Sequence, residues 1–289
     1  MQLASMLTST PAGLYCHIGD FYIDPQRSVN RALISHGHSD HARGGARHYL
    51  ACTQSEHILR QRLNRRINLQ TLDYGEKLNM NGVSVSFYPA GHILGSAQIR
   101  LEYQGEVCVV SGDYAVMPDA TCAPFEPVRC HSFITEITFG LPVYIWPSPD
   151  SVFQQINSWW KQNARDGVTS VLYAYSLGKA QRLIAGVDSS IGPILTHETV
   201  ENMNDAYRKT GIALPKTCTL EDVTDKTLFQ RALIVTPSGA NSDNWLPKCS
   251  ALSTAFASGW MRFRNARRNA AIDRGFVLSD HADWKGVLQ

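Results

Sequence analysis

Seven cysteines are scattered through 289 residues, an odd number, and no two of them stand at CxxC spacing. That speaks against a disulfide framework and against a thiolate zinc site, and the chain reads as a reduced, cytoplasmic protein. Long apolar runs are missing too: no window approaches the roughly 18 residues of a membrane span. The start, Met1 to Met6, has no charged region ahead of a long apolar core, so no secretory signal is expected. Internal repeats and low-complexity tracts are absent. Net charge is small, +2 with 18% charged residues, so any binding of a polyanion has to come from local basic clusters. What remains is an ordinary globular composition, 44% hydrophobic, long enough for one large domain or two modest ones.

The pattern changes partway along. Up to about residue 142 it reads as short strands with turns: 14–18 and 21–23 around Gly19-Asp20, 83–88 after Asn81-Gly82, and a hairpin of 99–103 with 107–110 around Gly105. One helix is expected from Gln54 to Leu63. After Pro142, Pro147 and Pro149 the reading alternates: helix 151–164, strand 168–174, helix 179–185, strand 193–196, helix 198–209. Such alternation signals a separate α/β layer.

The richest stretch is His36-Gly37-His38-Ser39-Asp40-His41, directly after the apolar run 31–35. Because an extended chain repeats every two residues, His36, His38 and Asp40 can project to one side, while a turn into a helix redirects His41. Close imidazoles with a carboxylate suit zinc or a similar divalent ion, and a mixed set favours two neighbouring ions over one closed structural site. His92 lies in Pro89-Ala90-Gly91-His92-Ile93-Leu94-Gly95-Ser96 and can complete a three-histidine set with His36 and His38. Asp113 follows the apolar strand 107–110, where its two oxygens can bridge two cations.

The ordered set HGHSDH, AGHILGSA and SGDY resembles the metallo-β-lactamase fold. Three later segments, 135–140, 176–182 and 279–283, resemble the β-CASP nucleases, and 253–261 with 273–284 are similar to the bacterial DNA-ligase-associated exonuclease family. The resemblance implies an α/β protein: a metallo-β-lactamase αββα sandwich over 1–144, an inserted α/β β-CASP-like domain over 145–272, and a return to the first domain over 273–289. It implies two divalent ions, Zn or Mn, with His36, His38, His92 and Asp113 on one and Asp40, His41 and Asp113 on the other. One more ligand, a histidine in a Thr-His-Gly segment, would lie beyond Gln289. The sequence is therefore read either as a fragment of a longer product or as a chain whose second metal site is open.

For function, the resemblance implies a metal-dependent exonuclease acting 5′ to 3′ on single-stranded DNA, in repair alongside a ligase and a helicase. Asp40, Glu136 and His281 take the catalytic roles, with His281 protonating the leaving oxygen and Glu136 orienting it. By their spacing alone, Glu136 and His281 read first as a turn glutamate and a loop histidine. Ser258 and Gly259 are implied substrate contacts. Lys179 and Arg182 open a helix after a strand, which reads equally as a phosphate cradle or an ordinary strand-to-helix turn. Two basic runs, Arg60, Arg62, Arg65 and Arg66, then Arg262, Arg264, Arg267 and Arg268, read as solvated faces, the second also as a track for a nucleic-acid backbone. Trp159 and Trp160 are expected to pack, whereas Trp260 can stack on an unpaired base. The alternatives are an RNA-processing ribonuclease of the same branch, a small-molecule hydrolase, and a truncated, non-catalytic nucleic-acid binder.

Overall fold

The computed structural model describes residues 2–4, 6–240, 245–263 and 272–289, so Arg264, Arg267 and Arg268 of the second basic run lie outside the described residues. It is a mixed α/β structure of two compact units, Met1–Thr138 and Phe139–Gln289.

The first unit holds two sheets. Strands β1 (Gln2–Ala4), β2 (Leu7–Thr10), β3 (Gly13–Cys16), β4 (Phe21–Ile23), β5 (Arg31–Ile34), β6 (His48–Cys52) and β7 (Leu69–Leu72) lie side by side in chain order. Pairing is antiparallel from β1 to β4 and parallel from β4 to β7. The second sheet runs β12 (Ser132–Ile134), β11 (Glu106–Val110), β10 (Ala97–Tyr103), β9 (Val83–Pro89), β8 (Lys77–Met80). Its hairpins turn where the sequence predicts them. Asn81 (φ 51°) with Gly82 (φ 91°), and Gln104 (φ 49°) with Gly105 (φ 83°), both adopt the left-handed backbone that two-residue hairpins require.

Alternation along the strands sorts the side chains. Leu33, Leu50 and Cys52 join Val85, Phe87, Ile99 and Cys108 in a core shared by both sheets. Their neighbours Ala32, Ile34, Tyr49 and Ala51 face the other way and meet Leu59 of α1 (Glu56–Arg62). Burial on both faces is why β5 reads as a continuous apolar run rather than as an alternating one.

The second unit is built on an all-parallel sheet ordered β15 (Thr217–Thr219), β14 (Ile194–Thr196), β16 (Leu233–Thr236), β13 (Thr169–Tyr173), β17 (Leu252–Ala257), β18 (Arg274–Phe276). Helix α2 (Pro149–Arg165) is capped by Ser148, whose side chain accepts from the Ser151 N–H, with Pro149 in the first turn where its missing N–H costs nothing. Together with α3 (Lys179–Gly186) it covers one sheet face. Trp159 and Trp160 are core, as expected, and their indole N–H groups donate to Ser253 Oγ and the Arg231 carbonyl. Phe229, Trp245, Leu220 and Val223 close the opposite face.

A charged network ties this sheet to α4 (Glu198–Lys209). The Glu201 carboxylate accepts from Thr196, Thr217, Asn204 and Arg208 at 2.7–2.9 Å. Burial works against its charged form, yet these donors outweigh it and hold its pKa below the usual carboxylate value. A depressed pKa contributes stability that is present above the unfolded value and lost as pH falls through the folded one. Glu201→Gln is therefore expected to cost about 2 kcal/mol at pH 7, with the gap narrowing in acid. Urea unfolding at pH 7 and at pH 4 checks this, and an equal gap at both pH values contradicts it.

Candidate metal centre

Each candidate ligand in the first unit sits just past the end of a strand. Beyond β5 the backbone turns at once, with the N–H groups of His41 and Ala42 donating to the His38 carbonyl at 3.2 and 2.8 Å. Two side chains pin this loop from either side. Gln26 Nε2 donates to the Asp40 carbonyl at 2.9 Å, and the half-buried Arg62 guanidinium donates to the Gly37 carbonyl. Arg62 thus belongs to the loop's scaffold rather than to a solvated basic face. Arg60 is likewise occupied, by Glu56 at 2.8 Å.

The His92 loop, between β9 and β10, is held by Ser96, whose Oγ accepts the N–H groups of His92 and Ile93 at 3.1 and 3.2 Å. Tyr74 Oη donates to the Ser96 carbonyl at 2.9 Å. Gly91 has φ 71°, and a Cβ there would lie 2.2 Å from the Ala115 carbonyl oxygen, so no side chain fits at this crossing. Asp113 follows β11 by way of Gly112, another left-handed residue at φ 57°.

These loops bring His36, His38, His92 and Asp113 together, each offering one ligand atom within 4.8 Å of the others. His38 Nδ1 lies 3.1 Å from His36 Nε2 and 3.0 Å from His92 Nε2. Asp113 Oδ2 lies 3.5 and 3.6 Å from the same two Nε2 atoms. Four donors bonded to one tetrahedral ion at 2.0–2.1 Å stand about 3.3 Å apart. The spacing fits such an ion. Hydrogen bonding fits less well, because one hydrogen on His38 Nδ1 cannot serve two imidazole nitrogens at full strength.

The other Asp113 oxygen faces elsewhere: Oδ1 lies 3.3 Å from His41 Nε2. Asp40 Oδ2 is 3.8 Å from that same nitrogen, on a side chain 70% exposed. Asp113 therefore presents one oxygen to the three-histidine group and one to His41. His41 is fixed from behind by Asp24, whose Oδ2 is 2.7 Å from His41 Nδ1 and 2.5 Å from Ser35 Oγ. Asp24 Oδ1 accepts the Ser35 N–H at 2.8 Å. Burial lowers the pKa of His41, but Asp113 and Asp24 overcome it and push it up to about 11. A cation can take Nε2 only as that proton leaves.

Asp24 is absent from the sequence reading, although it ends the apolar strand Phe21–Ile23 as Asp113 ends another. It stands at φ 43°, which asparagine also tolerates. Asp24→Asn is expected to weaken metal binding about 10- to 100-fold, measured by competition with a chromophoric chelator. Unchanged affinity assigns Asp24 to the fold alone. Glu136 follows β12, and its carboxylate accepts the Thr138 N–H at 2.6 Å.

In the second unit Lys179 and Arg182 are 2% and 4% exposed. Lys179 Nζ donates to Asp280 Oδ1 at 2.7 Å and to the Leu278 carbonyl at 3.1 Å, and Arg182 Nη1 donates to the Ser279 carbonyl at 2.6 Å. These two cations, which the sequence reads equally as a phosphate cradle or an ordinary strand-to-helix turn, brace the 278–280 segment, since buried charge is retained only where it is paired. His281 follows, with its carbonyl accepting from Trp146 Nε1 at 2.9 Å and its ring 5.9 Å from that of Phe139. Ser258 accepts the Trp260 N–H at 3.3 Å. Gly259 passes so close to Phe139 and Trp146 that a Cβ would lie 2.8 and 3.1 Å from their rings.

No protein-family model matches the chain. It is 28% identical over 282 residues to a "Probable DNA ligase" of Opitutus terrae, a match covering 96% of this chain and 27% of that protein. It is 26% identical over 189 residues to an "RNase J-like protein" of Methanocaldococcus jannaschii, covering 57% of this chain and 45% of that one. The chain thus spans less than half the length of either relative. Among solved structures, a protein of unknown function from Enterococcus faecalis matches with TM-score 0.55 and 13% identity over 88% of this chain and 70% of its own. The curated relatives bear out the resemblance to the metallo-β-lactamase/β-CASP nucleases. Among the described residues no helix is long and apolar enough to cross a membrane.

Proposed function

We propose, from that resemblance and from the His–Asp centre, that the protein is a metal-dependent nuclease hydrolysing phosphodiester bonds. The single observation that carries this reading is the convergence of His36, His38, His92 and Asp113, with neighbouring donor atoms 3.0–3.6 Å apart. Two sheets sharing one core support the αββα reading of the first domain. Divalent ions bound there supply Lewis-acid chemistry that polarises a phosphoryl oxygen and acidifies water. The chain's own residues do the rest. His36, His38 and His92 hold the first ion, Asp113 serves both, and His41 with Asp40 completes the second site on its exposed side. Asp24 keeps His41 oriented. By resemblance, His281 donates the proton to the departing oxygen, with Glu136 as its orienting carboxylate.

The substrate we assign is single-stranded DNA degraded from its 5′ end, in a setting shared with a ligase and a helicase. The similarity to a "Probable DNA ligase" across 96% of this chain supports the DNA and the ligase, while the single strand, its 5′ end and the helicase follow from the family resemblance. A ribonuclease reading has its own observation, the likeness to an RNase J-like protein. End-labelled DNA and RNA oligonucleotides of matched sequence, digested with manganese or zinc, decide between them. Asp40→Ala and His41→Ala are each expected to slow cleavage at least about 100-fold, since each removes a group that would hold the second ion, whose charge would offset that developing on the phosphoryl oxygens. Full activity in both variants sinks the two-metal scheme.

A further inference from the structure

In the second unit, Trp260 is 48% exposed and Phe263 40% exposed, beside Leu141 at 60% and Val143 at 42%. Trp260 and Phe263 both pack against Tyr144, so two exposed aromatics are mounted on one ring, and exposed apolar side chains gathered in this way mark a contact site. The mount is rigid. Ser258 Oγ accepts the Trp260 N–H, the Met261 N–H donates to the Ser258 carbonyl, and Gly259 is wedged against Phe139 and Trp146. The Trp260 ring lies 4.9 Å from Phe139 at 54° and 6.1 Å from Tyr144 at 88°. Neither ring is stacked parallel on the indole, and the 48% exposure of Trp260 leaves part of it open to a planar ligand.

Charge narrows the occupant. Arg262 lies beside these side chains, its Nε 3.4 Å from the Val143 carbonyl. A flat apolar surface beside a guanidinium matches a nucleobase joined to a phosphate, whereas a purely apolar partner gains nothing from Arg262. Phe139 touches both Trp260 and the ring of His281, so the platform is one ring removed from the expected proton donor.

We infer that Trp260 is a stacking platform for an unpaired base of single-stranded nucleic acid, with Arg262 beside the adjoining phosphate. This rests on the nucleic-acid reading of the protein given above. The test is fluorescence anisotropy with labelled, cleavage-resistant phosphorothioate dT12 and U12, and with a fully abasic strand of equal length, on the metal-loaded full chain. Trp260→Ala is expected to weaken binding of dT12 and U12 about 10-fold, while Trp260→Phe stays within about 3-fold. The abasic strand is expected to bind the unaltered protein about 10-fold more weakly and to be insensitive to Trp260→Ala. Equal loss for dT12 and the abasic strand, or no loss for either, overturns the inference. So does a Trp260→Ala chain whose only change is dissociation of a dimer, read by light scattering. If Trp260→Ala fails to fold, the abasic comparison on the unaltered protein and the Trp260→Phe variant still decide. An unaltered protein that neither binds nor cleaves any strand refutes the nuclease reading itself, which is a separate outcome.

Discussion

Asp113→Ala is expected to lower phosphodiester hydrolysis by at least about 10,000-fold, or roughly 5 kcal/mol of transition-state stabilisation. The size follows from the two-sided placement of this carboxylate. Its Oδ2 stands 3.5 and 3.6 Å from His36 and His92, and its Oδ1 stands 3.3 Å from His41. Other candidate ligands face one group each, so their loss leaves the opposite group whole. Removing Asp113 deprives both at once. Metal content measured by mass spectrometry is expected to fall in parallel, from two equivalents per chain to one or none. A variant retaining two tightly held equivalents and full cleavage would falsify the shared-carboxylate arrangement.

Lys179→Met is expected to destabilise the protein by roughly 3–5 kcal/mol. The ammonium is 2% exposed and lies 2.7 Å from an Asp280 carboxylate that is itself only 10% exposed. Truncating the lysine removes from the largely buried Asp280 carboxylate the ammonium at 2.7 Å and leaves His281 Nε2, at 3.9 Å, as the more distant nitrogen beside it. The double change Lys179→Met with Asp280→Leu is expected to regain most of the loss, because two apolar groups of similar volume remove the desolvation cost altogether. Chemical unfolding of the three variants measures both effects. If Lys179→Met instead leaves stability intact and raises only KM for an oligonucleotide, the lysine is a phosphate contact after all, as its place before a helix suggested.

Local rules explain which elements were legible. Helix 198–209 carries Glu198 and Glu201 in its first turn and Arg208 and Lys209 in its last, so its sequence reading matches the observed Glu198–Lys209. The hairpin of β10 and β11 announces itself by alternation and by Gly105. The strands β6, β7, β15 and β16 are short and parallel and draw their stability from neighbours far away in the chain, so no local period betrays them.

The candidate site divides in the same way. His36, His38, His41, His92 and Asp113 were visible because metal ligation demands particular donor atoms, and those atoms stand just beyond apolar strands that rigidly fix them. Asp24 was not visible, since its partners Ser35 and His41 lie 11 and 17 positions away and nothing in an isolated strand-end aspartate names them. Lys179 and Arg182 show the reverse case. Their residue types leave an anion site and an ordinary strand-to-helix turn equally open, and only packing shows both bonded to the 278–280 segment. Donor chemistry is written in the chain itself. Which charges remain available to a substrate depends on burial and pairing, and those exist only once the strands and helices have closed around them.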